Sequence, residues 1–142
     1  LEKEESAKEV LGQWSKDNDY NAAVKAGEPY GINSPYHAMA ILQRRERPDT
    51  EQIELYAFGI GQMAFAFAPC EMFCENGMYI KAHSPYKHTV ISELANSSVG
   101  YIPTKEAFDY NCYEANTGRF IRGTGEALAE AFVSMLNTLN EE

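Results

Sequence analysis

The sequence predicts an α/β fold in which helices pack on a mixed sheet, and three observations carry that expectation. Residues 53–68 alternate in two apolar runs around Gly61-Gln62, residues 89–95 form a third β-rich run, and apolar residues recur at helical spacing before and after them. The predicted order, strand, strand, helix, strand, helix, helix, contains no internal repeat and no low-complexity stretch.

Residues 2–16 mix helix formers with Ala7, Val10, Leu11 and Trp14 three and four apart, which predicts an amphipathic helix. Between Lys16 and Pro35 the composition turns to Asp, Asn, Gly and Pro, and a long irregular connection is expected. Ser34-Pro35 then suits the cap and first turn of a helix over 36–45, with Met39, Ala40 and Leu42 inward and Arg44 and Arg45 near its negative end. Residues 1–50 thus read as a helical and irregular lead-in, and 51–142 as one structural unit.

Ile53, Leu55 and Ala57 open the first predicted strand, and Met63-Ala64-Phe65-Ala66-Phe67-Ala68 forms the second, alternating large with small. A glycine at the first turn position fits a type II′ hairpin. Because the second run is apolar on both faces, it is expected inside the sheet with cover on both sides. Pro69 stops it, and a helix is predicted over 70–83 with Met72, Phe73, Gly77 and Ile80 inward. After the third strand come a loop over 96–103, a short helix begun by Thr104 with Glu106, an irregular stretch, and a last helix capped by Thr124. That last helix places Leu128, Ala131, Phe132, Met135 and Leu139 at core spacing.

The 142 residues are 44% hydrophobic, enough for one sizeable core. Twelve Lys and Arg against 21 Asp and Glu give a net charge of -9, which repels nucleic acid and anionic lipid and excludes both as partners. No run reaches the ~18 apolar residues of a membrane span, so no transmembrane segment is expected. The start at Leu1-Glu2-Lys3 carries neither a Met nor a leader pattern, and the chain is expected to begin within a longer protein. Three cysteines, Cys70, Cys74 and Cys112, form no Cys-x-x-Cys pair, which argues against a disulfide scaffold or a thiolate zinc site, and Cys70 and Cys74, four apart on one face of a predicted helix, read as buried apolar residues. His37, His83 and His88 lie in no His-x-His or His-x-x-x-His arrangement.

Five segments in unbroken order resemble the neutral/alkaline ceramidases. They are Ala68-Pro69-Cys70-Glu71-Met72-Phe73, Ser84-Pro85-Tyr86-Lys87-His88-Thr89, the block from Asn96 through Tyr101-Ile102-Pro103-Thr104 to Phe108, the pair Tyr113-Glu114, and Gly123-Thr124-Gly125-Glu126. The resemblance implies the carboxy-terminal part of the catalytic domain of a zinc-dependent amidohydrolase, a piece of a larger α/β hydrolase unit. It also implies that Glu71 and Tyr101 are zinc ligands and that the histidine ligands come from the amino-terminal part of the same protein. No catalytic residue beyond these ligands is assigned within this chain, and the fragment alone is not expected to hold the metal. The implied substrate is an N-acyl amide such as N-acylsphingosine, and the implied location is secreted or periplasmic. Cys70 stands where the family carries a small residue, which leaves open a soluble amide as substrate.

The residues suit that chemistry in their own right. Catalytic zinc takes nitrogen and oxygen ligands, and a carboxylate after a core strand stands where α/β sheets collect their sites. A phenol is a rarer ligand, because its proton leaves only near pH 10 unless a cation is close. Two rival readings remain from the residues. Glu71 fits a helix first turn, where it favours the dipole, and Tyr101 fits core packing. At the level of function the rivals are a non-catalytic α/β binding or structural module without the histidine-bearing half, and a thiol hydrolase using Cys70 with His83 as base.

Overall fold

The computed structural model describes residues 2–141 and divides the chain into two units, 1–50 and 51–142. In the first unit, helices α1 (Glu2–Asp17), α2 (Tyr20–Gly27) and α3 (Pro35–Arg45) bury Ala7, Val10, Ala23, Ile32 and Ala38 in one cluster. Ser34 caps α3 as expected, its hydroxyl accepting from the His37 N–H at 3.0 Å. Of the residues expected inward on α3, Ala40 is buried and Leu42 packs on the cluster, but Met39 is exposed, and Ala38 and His37 are buried as well.

The expected irregular connection is corrected too, because α2 occupies most of it. Asp19 starts that helix by accepting from the N–H groups of Asn21 and Ala22. Ala22, Ala23 and Ala26 then propagate it as strong helix formers. Gly27 ends it, where any side-chain Cβ would lie 2.1 Å from the Ile32 carbonyl oxygen. A polar, Gly- and Pro-punctuated composition masked an eight-residue helix whose Ala23 is wholly buried.

In the second unit, β1 (Tyr56–Ile60) and β2 (Met63–Phe67) form the antiparallel hairpin, and β2 also pairs in parallel with β4 (His88–Ser92). The sheet is therefore mixed, in the order β1-β2-β4. The hairpin starts at Tyr56, three residues later than the alternation suggests. Only Gly61 of the two turn residues has a positive φ, 59°, which is the type II′ signature.

Strand β2 is central as expected, but its two faces differ. Ala64 and Ala66 are wholly buried in a core with Leu128, Phe132 and Leu136 of the last helix α6 (Thr124–Glu141) and Ile80 of α4 (Cys74–His83). The opposite face carries Phe65 and Phe67, half-buried and stacked on Phe58 at 4.8 and 5.6 Å between ring centres. The expected cover on both sides is present on one side only among the described residues.

Three further expectations are corrected downstream. Glu71–Met72 and Tyr101–Ile102 are short parallel strands, β3 and β5, so the helix begins at Cys74 and not at 70. The stretch after Tyr110 contains α5 (Tyr113–Thr117), and the segment at 106–109 is a 3-10 turn whose start is held by the Glu126 carboxylate accepting from the Lys105 N–H at 2.8 Å, not by Thr104. Thr124 is the first residue of α6, and its hydroxyl donates back to the Ile121 carbonyl at 2.8 Å instead of capping forward.

The small-residue face of β2 sets a stability test. Ala66→Leu inserts three heavy atoms under α6 where no free volume adjoins a fully buried alanine, and should cost about 1–3 kcal/mol by urea denaturation. An unchanged midpoint would mean that α6 does not press on this strand.

Candidate functional site

The segment after β2 is pinned from two sides. Towards β4, the Ala68 N–H donates to the Ser92 carbonyl, the Leu94 N–H to the Cys70 carbonyl and the Ala95 N–H to the Ala68 carbonyl. Towards β5, the Glu71 N–H donates to the Gly100 carbonyl at 3.1 Å, the Phe73 N–H to the Ile102 carbonyl at 3.4 Å, and the Val99 N–H to the Pro69 carbonyl at 2.7 Å. A chain bonded on both edges cannot curl into a helix, which is why Glu71 is extended here. The helix-dipole role for Glu71 is thereby removed, because α4 starts three residues later.

The register places Glu71 directly opposite Tyr101. Neighbouring parallel strands lie about 4.8 Å apart, so the Tyr101 phenol and the Glu71 carboxylate are cross-strand neighbours. The negative charge of Glu71 is the main reason that the phenol ionises above its usual range, with burial, Tyr113 and Glu114 adding to it. The phenol therefore stays protonated at neutral pH. The Tyr101 ring also meets Tyr113 edge-to-face at 5.9 Å, so its packing is not confined to the core.

Around this pair opens a crevice of ≈ 380 Å³ lined by Glu71, Glu75, Glu93, Glu114 and Tyr101. Four carboxylates line it, and no Lys, Arg or His lines the space with them. Glu93 is a structural member of the set: its Oε1 accepts from the Met72 N–H at 3.1 Å. Burial, followed by the charge of Glu71, raises its carboxyl above the ordinary range despite that bond.

The loop that delivers Tyr101 is held by Arg119. Its Nε donates to the Val99 carbonyl at 2.6 Å, Nη2 to the Ser98 carbonyl at 3.3 Å, and Nη1 to the Glu51 carboxylate at 3.0 Å. Gly100, at φ 82°, takes a backbone conformation that a side chain would oppose immediately before Tyr101. Leu94 and Asn96 also have positive φ, an unusual conformation for such residues that the surrounding backbone bonds hold in place.

The histidines stand elsewhere. His37 belongs to the first unit, where it is buried against Asn33 Oδ1 at 3.2 Å and burial lowers its pKa to about 4. His83 donates from Nδ1 to the Tyr79 carbonyl at 2.9 Å and stacks on the Tyr79 ring. His88 is exposed on β4. Among the described residues, no three His, Cys, Asp or Glu side chains are grouped to hold a metal ion. The thiol reading is overturned: Cys70 lies in no helix, is wholly buried, and burial first, then Glu93 and Glu71, push its thiol up to about 12. Such a group forms no thiolate near neutral pH.

Sequence reasoning singled out Glu71 and Tyr101, which the register sets side by side, but gave no role to Glu93, Arg119, Tyr113 or Glu114. Glu93 acts on a residue 21 positions away and Arg119 on one 20 positions away, and nothing local in the sequence signals either.

Two solved structures similar to this chain are ceramidases. A ceramidase complexed with C2 superposes with a TM-score of 0.55 at 28% identity, over 60% of this chain and 14% of that one. The neutral ceramidase of Pseudomonas aeruginosa gives 0.51 at 28% identity, over 60% of this chain and 15% of its own. The fold is ceramidase-like. This chain therefore spans about one seventh of the length of the structures it matches, and no protein-family model and no curated protein matches it. No helix among the described residues is long and apolar enough to cross a membrane.

Glu93 provides a test of the site's electrostatics. A carboxyl whose folded pKa is raised stabilises the fold most below its unfolded value, about 4.3, and that contribution is lost as pH rises through the raised value. Glu93→Gln keeps an oxygen for the Met72 N–H and removes the charge. The variant should melt above the parent at pH 7 and level with it at pH 4, by calorimetry at both pH values. A variant that melts lower at pH 7 would show that the carboxylate itself is required.

Proposed function

We propose that this chain is the carboxy-terminal part of the catalytic domain of a zinc-dependent amidohydrolase that cleaves an N-acyl amide. The observation that carries the reading is the cross-strand pair Glu71–Tyr101 within a ceramidase-like fold. A carboxylate and a phenol, paired across neighbouring strands and lining a crevice with an excess of negative charge, are a donor set that fits a hard or borderline cation such as zinc. Glu71 and Tyr101 would hold it, together with histidines from the amino-terminal part of the same protein. When bound, the metal supplies Lewis acidity for attack on the amide carbonyl.

This chain's own residues contribute position and protonation. Glu71 offers its carboxylate from a strand fixed by backbone bonds on both edges, which holds the oxygen in place at little further entropic cost. Tyr101 keeps its proton on Oη beside the Glu71 charge and would release it more readily where a bound cation offset that charge. Glu93 fixes the Met72 N–H and thereby the strand between them. The Tyr113 ring, edge-on to Tyr101 and half exposed, forms an apolar-and-hydroxyl wall suited to an acyl amide. The substrate is an N-acyl sphingoid lipid or a related amide. The rival reading, a non-catalytic binding or structural module, requires that no histidine-bearing part accompany the chain.

Tyr101→Phe in the complete protein tests the assignment, because it deletes one oxygen and keeps the ring. Amide hydrolysis should fall about tenfold or more, on the scale of losses at metal-site partners. The melting temperature of the metal-free protein should change by no more than the loss of one hydrogen bond, about 1 kcal/mol. Zinc content and hydrolysis equal to the parent's would remove Tyr101 from the site.

A further inference from the structure

The first turn of α6 packs against the first turn of α4 around a buried amide. Asn76 is 3% exposed, and its Nδ2 has no hydrogen-bond partner among the described residues. The same holds for Oε2 of Glu126, whose other oxygen accepts from the Lys105 N–H at 2.8 Å. Gly125 permits this close approach, since a Cβ there would stand 2.5 Å from Asn76 Nδ2 and 2.7 Å from the Pro103 carbonyl oxygen. A buried polar atom without a partner is costly, and folded proteins keep few of them. Here a donor and an acceptor are left over together, on two residues that line one crevice.

That crevice, of ≈ 320 Å³, lies between α4, the segment at 104–106 and α6. It is separate from the space around Glu71 and Tyr101 and shares only Glu75 with it. Its wall joins Ala129 and Tyr79 to an exposed rim of Glu75, Glu106 and Glu130, with Lys105 as the one cation. Each feature selects a chemical group. A hydroxyl both accepts and donates, so one hydroxyl satisfies Asn76 Nδ2 and Glu126 Oε2 at once, whereas a carbonyl serves only the first and an ammonium only the second. The surplus of carboxylates beside an aromatic ring favours an organic ammonium. A metal ion fits poorly, because the buried amide turns a donor to the space and no three His, Cys, Asp or Glu side chains among the described residues are grouped to hold one.

We propose that the crevice between α4 and α6 is a binding site for a small amino alcohol. The hydroxyl bridges Asn76 Nδ2 and Glu126 Oε2, the ammonium faces the rim carboxylates and the Tyr79 ring, and the carbon body lies on Ala129. Both inner atoms are shut off from solvent, so a small turn of the Glu126 side chain admits the hydroxyl as the ligand binds. The site uses neither of the residues proposed to hold the metal and does not depend on the hydrolase reading.

Calorimetric titration of the polypeptide encoded by the complete reading frame with leucinol tests the proposal. Two further probes each lack one group: isoamylamine lacks the hydroxymethyl and isohexanol lacks the ammonium. Leucinol should bind one-to-one with a Kd of about 1 mM or tighter, a range open to a ligand of its size. Isoamylamine should bind at least about tenfold more weakly, the loss expected when a hydrogen bond to a charged group is missing, and isohexanol at least about threefold more weakly. Glu126→Gln keeps an oxygen for the Lys105 N–H but removes the charged acceptor, so the preference for leucinol over isoamylamine should shrink to about threefold or less. Glu106→Gln with Glu130→Gln changes two exposed residues that the fold does not need, and carries the test if the first variant does not fold. It should weaken leucinol and isoamylamine alike by about threefold or more and leave isohexanol unchanged. Three results each overturn the proposal: no saturable binding of leucinol, equal affinity for the three probes, or binding that these substitutions leave untouched. A water bridging Asn76 Nδ2 and Glu126 Oε2 in crystals grown with saturating leucinol overturns it too. Leucinol binding in a protein that hydrolyses no amide would leave this site standing and remove the proposed function.

Discussion

The backbone ladder between Glu71–Met72 and Tyr101–Ile102 is the constraint on which the site depends. It is only two residues long on each side, too short to be stable alone. Its persistence comes from what flanks it: bonds from residues 68–70 to the exit of β4, the Glu93 carboxylate on the Met72 N–H, and the Arg119 guanidinium on the Val99 and Ser98 carbonyls. Met72 and Ile102 add a buried apolar anchor to the core under α6. With those supports, a carboxylate and a phenol 30 positions apart become direct cross-strand neighbours.

The electrostatics follow from that placement. Carboxylates crowd the crevice without a cation of their own, and the response differs by group: the Tyr101 phenol holds its proton more tightly, Glu93 is raised by burial and by Glu71, and the buried Cys70 thiol is pushed to about 12. Each shift has the sign expected for a site that lacks positive charge. Burial, more than that field, suppresses thiol chemistry at Cys70; the field of the carboxylates would stabilise an incoming metal ion.

Much of this was legible in the sequence, for identifiable reasons. Strict alternation with a glycine turn exposed the hairpin, and the β-branched run at 89–91 exposed β4, because strand periodicity is a local property. The long helices α1 and α6 declared themselves by apolar spacing. Glu71 and Tyr101 were found by resemblance, yet the sequence placed Glu71 on a helix and Tyr101 in a loop. Two-residue strands have no periodicity to read, and their pairing is decided by bonds between residues 30 apart. Helix α2 was hidden because its Asp19 cap and Gly27 terminus look like loop composition when the alanines between them are not counted. The open face of β2 was misjudged for a physical reason as well: an apolar strand demands cover, but the sequence of the strand does not say which chain supplies it.

Anomalous diffraction at the zinc edge, from crystals of the polypeptide encoded by the complete reading frame, tests the central claim most directly. The account predicts a single strong peak about 2.0–2.2 Å from a Glu71 carboxylate oxygen, with the Tyr101 phenolic oxygen also in contact and the remaining ligands drawn from outside residues 1–142. A zinc peak on other residues, or zinc-free crystals of a protein that hydrolyses amides at full rate, would contradict it.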